Sequence, residues 1–422
     1  MPLVNNNETP VLTTADGVPL KISQQRSIRR QKIRAFLLVA PLLVFLLIAF
    51  VFPIFDMLER SVENQVVPEQ LPLTTKALER WEGNGLPDED VFAALVSDLR
   101  TGAEARTIGK VASRLNYEKS GMRSLIMKSA RKAKRLKGDG PFRDTVIKID
   151  KRWADISIWK LIQRESGNYT FSYYLNAVDM KFDDDGNIVD QPEHLQIYKS
   201  LFWRTLYMSV AITFLCLLLG YPVAYLLANL PMRTANMLMI LVLLPFWTSL
   251  LVRTATWIAI LQQQGVLNDI MVGIGLLQDD NRAQMIYNQT GTLVAMTHIL
   301  LPFMILPLYS VMKTISPSYV RAARSMGATP FTAFRRVYFP LTLPGIGAGS
   351  ILVFILSIGY YITPALVGGQ TGTFITNFIA YHMQTSLNWG LAAAIASILL
   401  IVVVVFYWVY NRLIGVDNVK LG

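Results

Sequence analysis

The sequence predicts an all-α polytopic membrane protein: six transmembrane helices, with one insert outside the membrane between helices 1 and 2. Of 422 residues, 52% are hydrophobic and only 16% charged, above the roughly 45–50% apolar share of soluble domains. Six apolar stretches of about 20 residues, each long enough to cross a bilayer, punctuate the chain. One long segment of mixed, charged composition interrupts them. A large soluble core does not account for the pattern, because buried helices rarely repeat this length without ionised residues.

The first stretch, 35–57, has no basic residue, and its acid, Asp56, stands at the end. It is too long for a signal-peptide core of about 7–15 residues and reads as an uncleaved span. The others are 205–230, 237–261, 291–312, 345–367 and 391–409. The organisation is therefore a basic tail 1–34, helix 1 at 35–57, an insert 58–204, a core 205–413 holding helices 2–6 with a connecting loop 313–345, and a tail 414–422. At about 150 residues the insert can bury a core of its own. Val91, Leu95 and Leu99, then Ile108, Val111 and Leu115, repeat with helical spacing.

Basic residues set the orientation. The tail carries Lys21, Arg26, Arg29, Arg30, Lys32 and Arg34; the 2–3 connection carries Arg233; the 4–5 connection carries Lys313, Arg321, Arg324, Arg335 and Arg336; the end carries Arg412 and Lys420. With six spans these all share one side, opposed there by only Glu8, Asp16 and Asp417. The 3–4 connection holds Asp269, Asp279, Asp280 and Arg282, and 368–390 holds no charge. Both termini are expected in the cytoplasm and the insert outside. The net charge of +11 is then a topology signal located on the cytoplasmic side, not a nucleic-acid signature.

The 4–5 connection is the most informative segment. Ser316 can cap a helix that begins at Pro317, and Gly327 can end it in the left-handed conformation. Tyr319, Ala322, Ala323 and Met326 share one face. Thr329 and Pro330 restart a second helix, with Phe331, Phe334 and Tyr338 on its face, and Pro340 and Pro344 are expected to stop it before helix 5. Such a helix–turn–helix suits docking on another protein, or else lies as an amphipathic linker on the membrane.

Ala322, Ala323, Gly327, Pro340, Leu343, Pro344, Gly345 and Ile346 resemble the coupling loop of permease subunits of binding-protein-dependent ABC importers. The sequences at 217–228, 243–261 and 359–369 are similar to the spermidine/putrescine-type branch. The resemblance covers about 199–413 and the first span. It implies the type I ABC importer permease fold, a cytoplasmic (inner) membrane location, and no ATP chemistry in this chain. It also implies two separate ATPase subunits, a second permease subunit (homologue or copy) and an extracytoplasmic binding protein as partners. Arg321, Ala322, Ala323, Arg324, Met326, Gly327, Ala328, Pro340, Pro344 and Gly345 would meet or support the ATPase contact. Arg321 stands where that family usually has glutamate.

Pro222, Pro245, Pro302 and Pro307 are placed to kink helices 2–4. An ionised residue inside a span usually faces the bundle interior or an aqueous path, and Arg253 is such a residue unless it snorkels to the headgroups. Trp247, Arg253, Trp257, Tyr360, Tyr361, Thr363 and Gln370 are candidates to line the pathway, the aromatic ones alternatively forming an interfacial belt. Related polyamine permeases often carry an acid where this chain has Tyr360, and no Asp or Glu lies in the central part of any span. A polyamine or related small organic solute is the expected substrate, with specificity set mostly by the binding protein.

Other chemistries are excluded. Gly109–Lys110 is followed by Val111, not the Ser or Thr of a phosphate loop. His194, His298 and His382 have no neighbouring ligand at metal spacing, and Cys216 is the single cysteine. The acidic run at 183–190 reads as an Asp-Gly turn between short strands, not an EF-hand. The basic run at 128–137 lacks interleaved aromatics and reads as a solvated helix face or a contact for an outside partner. No cofactor, metal or nucleic acid is expected. An ion-coupled carrier would need an ionisable mid-membrane relay, which is not visible. A membrane-anchored receptor or enzyme acting through the insert would leave the 316–346 loop without a purpose. The insert itself is assigned to partner docking.

Overall fold

The computed structural model describes residues 20–136 and 140–414. Glu8, Asp16, Lys137, Asp417 and Lys420, which entered the charge and motif readings, lie outside them. The chain divides into two units, Met1–Glu59 and Arg60–Gly422.

The first unit is helical from Leu20, with a π-helical turn at Leu47–Val51, so the basic residues before the span are continuous with the span helix. From Phe36 to Phe55 it is apolar on every face, the pattern of a membrane-spanning helix.

The second unit opens with the insert, a small helical domain. Helices Glu89–Glu104 and Ile108–Glu118 occur where the apolar spacing placed them. Val91, Leu95, Leu99, Val111 and Leu115 point into one core around Trp153 and Trp159, whose rings lie 5.1 Å apart. Below that core, Arg114 is buried and hydrogen-bonds Asn64 (3.0 Å), Glu118 (2.6 Å) and Glu165 (2.6 Å). The acidic run forms the expected hairpin: β1 (Met180–Phe182) pairs antiparallel with β2 (Ile188–Asp190). The Asp183 carboxylate accepts from the amides of Asp185 and Asn187, which holds its pKa below the ordinary value. Lys119 and Lys160 pair with Asp184 and Asp185. The basic run lies on helix Met122–Ala133, where Lys128 pairs with Asp150.

Among the described residues five helices are long and apolar enough to cross a membrane, and counting one bent helix pair as a single span brings the number to six. Span two is Tyr198–Asn229, span four Gln289–Thr314, and span six Trp389–Arg412. Pro222, Pro302 and Pro307 sit inside unbroken helices. Span three differs from the single stretch 237–261: Met232–Trp247 and Leu250–Gly273 meet at 96°. Pro245 withdraws an amide from the ladder, Leu244–Trp247 tightens to a 3₁₀ turn, and the Ser249 side chain caps a new helix through the Val252 amide.

Span five also differs. Its helix is Phe339–Gly359, and 362–367 form a separate short helix. Pro340 and Pro344 do not stop the preceding helix: Pro330–Gly359 is one continuous element. A π-helical turn at Phe334–Tyr338 shifts the ladder register just before Pro340, so the ring enters without breaking the helix. Spans two, four and five share one core, with Met208, Ile212, Met296, Met304, Leu308 and Val353 in it. Gly349 permits the closest approach: a Cβ there would stand 3.2 Å from the Met304 carbonyl oxygen. Helix Ser172–Ala177 of the insert joins the core of span six through Tyr173, Ala177, Leu391 and Ala394.

Candidate functional site

The candidate residues fall into two groups, one at the 4–5 connection and one around the second half of span three.

At the connection, the Ser316 side chain caps helix Pro317–Ser325 through the Ser318 amide. Gly327 has φ +90°. Its amide donates to the Arg324 carbonyl (3.0 Å), and the Ala328 amide donates to the Ala323 carbonyl (3.1 Å). Those two bonds complete a Schellman ending. Thr329 then caps the next helix through the Thr332 amide at 3.2 Å.

The aromatic side of that helix is anchored. Phe334 and Tyr338 pack on Tyr225 of span two with ring centroids 6.1 and 5.3 Å apart. Lys313 donates to the Ala228 carbonyl.

The faces divide differently from the helical spacing. Ala323 is buried with Ala333, whereas Tyr319, Ala322 and Met326 are exposed. Ala323 lies on the flank that meets the second helix, so a nine-residue helix cannot present all four to one partner. Phe331 likewise parts from Phe334 and Tyr338 and is 70% exposed. Met326, at 82%, is the extreme of this surface. Arg321, Arg324, Arg335 and Arg336 are exposed around it, while Pro340, Pro344 and Gly345 belong to the span helix. Gly345 is buried.

In the second group, Nε and Nη1 of Arg253 are buried without a hydrogen-bond partner. Arg253 as a whole is half-buried. Trp257 Nε1 donates to His298 Nδ1. Thr254, one residue from Arg253, meets Thr363 hydroxyl to hydroxyl at 3.3 Å. Helix Leu250–Leu261, which carries Arg253, Thr254 and Trp257, thus meets span four at His298 and the short helix 362–367 at Thr363.

Trp247, Tyr360, Tyr361 and Gln370 take no part in these two hydrogen bonds. Trp247 stands at the helix break, 78% exposed. Tyr361 and Gln370 are exposed, and their carbonyls accept from Asn377 and Arg204. His298 and Thr254 were absent from the sequence-based set. A signal for His298 existed, since it is a second ionisable side chain inside a span. Among the described residues no group of His, Cys, Asp or Glu could hold a metal.

Residues 204–414 match the family described as binding-protein-dependent transport system inner membrane component. The chain belongs to that family. It is 33% identical over 244 residues to the spermidine/putrescine transport system permease protein PotB of Haemophilus influenzae, covering 56% of this chain and 85% of that protein. To PotB of Escherichia coli it is 33% identical over 222 residues, covering 52% and 80%. The inner membrane ABC transporter permease protein YdcU of Escherichia coli is 33% identical over 225 residues, covering 51% and 71%. Among solved structures, a chain of a bacterial ABC transporter that imports the acidic polysaccharide alginate matches with TM-score 0.43 and 19% identity, covering 52% of this chain and 80% of that one. The protein is a multi-pass permease subunit of an ABC importer with the type I permease fold.

Proposed function

We propose that this permease forms half of a translocation pathway and is driven through the 316–346 loop by a separate ATPase. The observation that supports this most is the capped helix Pro317–Ser325, which ends in a Schellman turn and leaves Tyr319, Met326 and Phe331 uncovered. Its companion helix runs without interruption into span five. A push on the exposed tip therefore has a stiff route to the membrane core.

In the assembled importer two ATPase subunits bind at the cytoplasmic face and a second permease, homologue or copy, completes the path. Both termini are cytoplasmic, as the basic residues direct. The insert faces outward and receives the substrate-binding protein. Docking there reaches span six through Tyr173 and Ala177.

The polyamine permeases among the relatives support a polyamine or a related small organic solute as cargo. No Asp or Glu lies in the central part of any span. This chain would therefore contact such a cargo with the ring faces of Trp257 and Tyr360 and the hydroxyl of Thr363, and the binding protein would do most of the selecting.

Purification of the intact complex, identification of every subunit, and analysis of the ligand carried by its binding protein test this reading. Two ATPase subunits, a second permease and a small polyamine-like ligand are expected. Solute transport by this chain without an ATPase would overturn it.

A further inference from the structure

The coupling loop encloses a concave groove of about 450 Å3 between helix Pro317–Ser325 and the facing ends of spans two and four. Lys313, Arg321 and Arg324 line it, together with Tyr225, Phe334 and Tyr338. No Asp or Glu occurs anywhere in 313–345. Among the described residues no ion pair uses Lys313, Arg321, Arg324, Arg335 or Arg336. The protein thus holds three cations around one hollow and supplies no counter-charge of its own. Like charges brought together repel, so a complementary anion would add to stability and orientation.

We propose that this groove receives an acidic side chain, Asp or Glu, of the ATPase subunit, with Arg321 as its main partner. The proposal rests on the coupling role given above to the same loop. The shape of the hollow favours a protein side chain over a lipid surface. A headgroup layer is broad and meets convex basic faces, whereas this hollow is concave and lined by Tyr225, Phe334 and Tyr338 as well as by its cations. Arginine suits the task because its planar fork can hold a carboxylate with two parallel hydrogen bonds. A glutamate at position 321 and this arginine would then require ATPase side chains of opposite charge, which would keep related importers from exchanging subunits.

The test uses the purified complex. Arg321→Lys keeps the charge and introduces an amine that carbodiimide can join to a carboxylate in direct contact. Mass spectrometry should find a new amide linking position 321 to an Asp or Glu of the ATPase, absent from the wild-type complex. Arg321→Glu should weaken ATPase retention roughly tenfold, and reversing the charge of the linked carboxylate should restore it. The proposal fails if Arg321→Glu retains the ATPase as wild type does. It also fails if the substitution acts only in bilayers containing phosphatidylglycerol and not in detergent, which would assign the groove to lipid. Loss of coupling in a Gly327 variant together with an unaffected Arg321→Glu would leave the loop's role intact and sink only this charge pairing.

Discussion

Trp257 Nε1 donates to His298 Nδ1 over 3.1 Å, tying the second half of the broken third span to the fourth. An Nδ1 that accepts leaves the imidazole neutral, with its proton on Nε2. The bond therefore fixes both a ring position and a tautomer.

Trp257→Phe keeps a ring of similar shape and removes the donor. One hydrogen bond contributes about 0.5–1.5 kcal/mol, so uptake by reconstituted complex should fall by roughly two- to tenfold while subunit assembly is unchanged. Uptake at the wild-type rate would remove this pair from the pathway.

A second expectation concerns the insert. Arg114 is 4% exposed and Glu165 fully buried, and burial of Glu118 pushes its carboxyl up against the pull of the same arginine. Arg114→Ala leaves the buried Glu118 without its cation and Glu165 with only Arg164, 3.4 Å from its other oxygen. Breaking a buried pair costs about 3–5 kcal/mol, so protease cleavage within the insert should accelerate strongly. An equal digestion pattern in variant and wild type would contradict the assigned network.

His382 governs a pH response. Its Nε2 meets the Tyr198 hydroxyl at 2.7 Å and its Nδ1 the Ser386 hydroxyl at 2.8 Å. Burial pushes its pKa down to about 4. Because the folded value lies below the ordinary value of about 6.5, the unfolded chain holds more protons between those limits. Stability is full above about pH 6.5 and is lost as pH falls toward 4, by up to about 3 kcal/mol. The melting midpoint of the complex in detergent should drop between pH 7 and pH 5, and His382→Asn should flatten that dependence. A midpoint equally pH-dependent in the variant would assign the effect elsewhere.

The 316–346 loop was legible because its punctuation is local. Ser316–Pro317, Gly327 and Thr329–Pro330 act within a few residues, and the observed caps and the +90° glycine follow them. The helix spacing of Val91, Leu95 and Leu99 was legible for the same reason. The four prolines of spans two to four were not distinguishable from one another. Pro222, Pro302 and Pro307 stay inside intact helices, while Pro245 breaks one because Ser249 can start another. Pro340 was misread as a stop because a π-helical turn, not a sequence signal, makes room for it. The link between Trp257 and His298 depends on which helices face each other, and periodicity on one helix does not name the neighbour.

The central claim is that motion passes through the helix ended by Gly327. At φ +90° a β-branched side chain is strained by about 1–3 kcal/mol, although nothing crowds the position. Asparagine accepts this conformation at a helix end. The most direct measurement compares Gly327→Val with Gly327→Asn in proteoliposomes holding the full complex, reading substrate uptake together with stimulated ATP hydrolysis. Both variants should insert normally, with both activities lost for valine and retained for asparagine. Unimpaired uptake by Gly327→Val would contradict the claim.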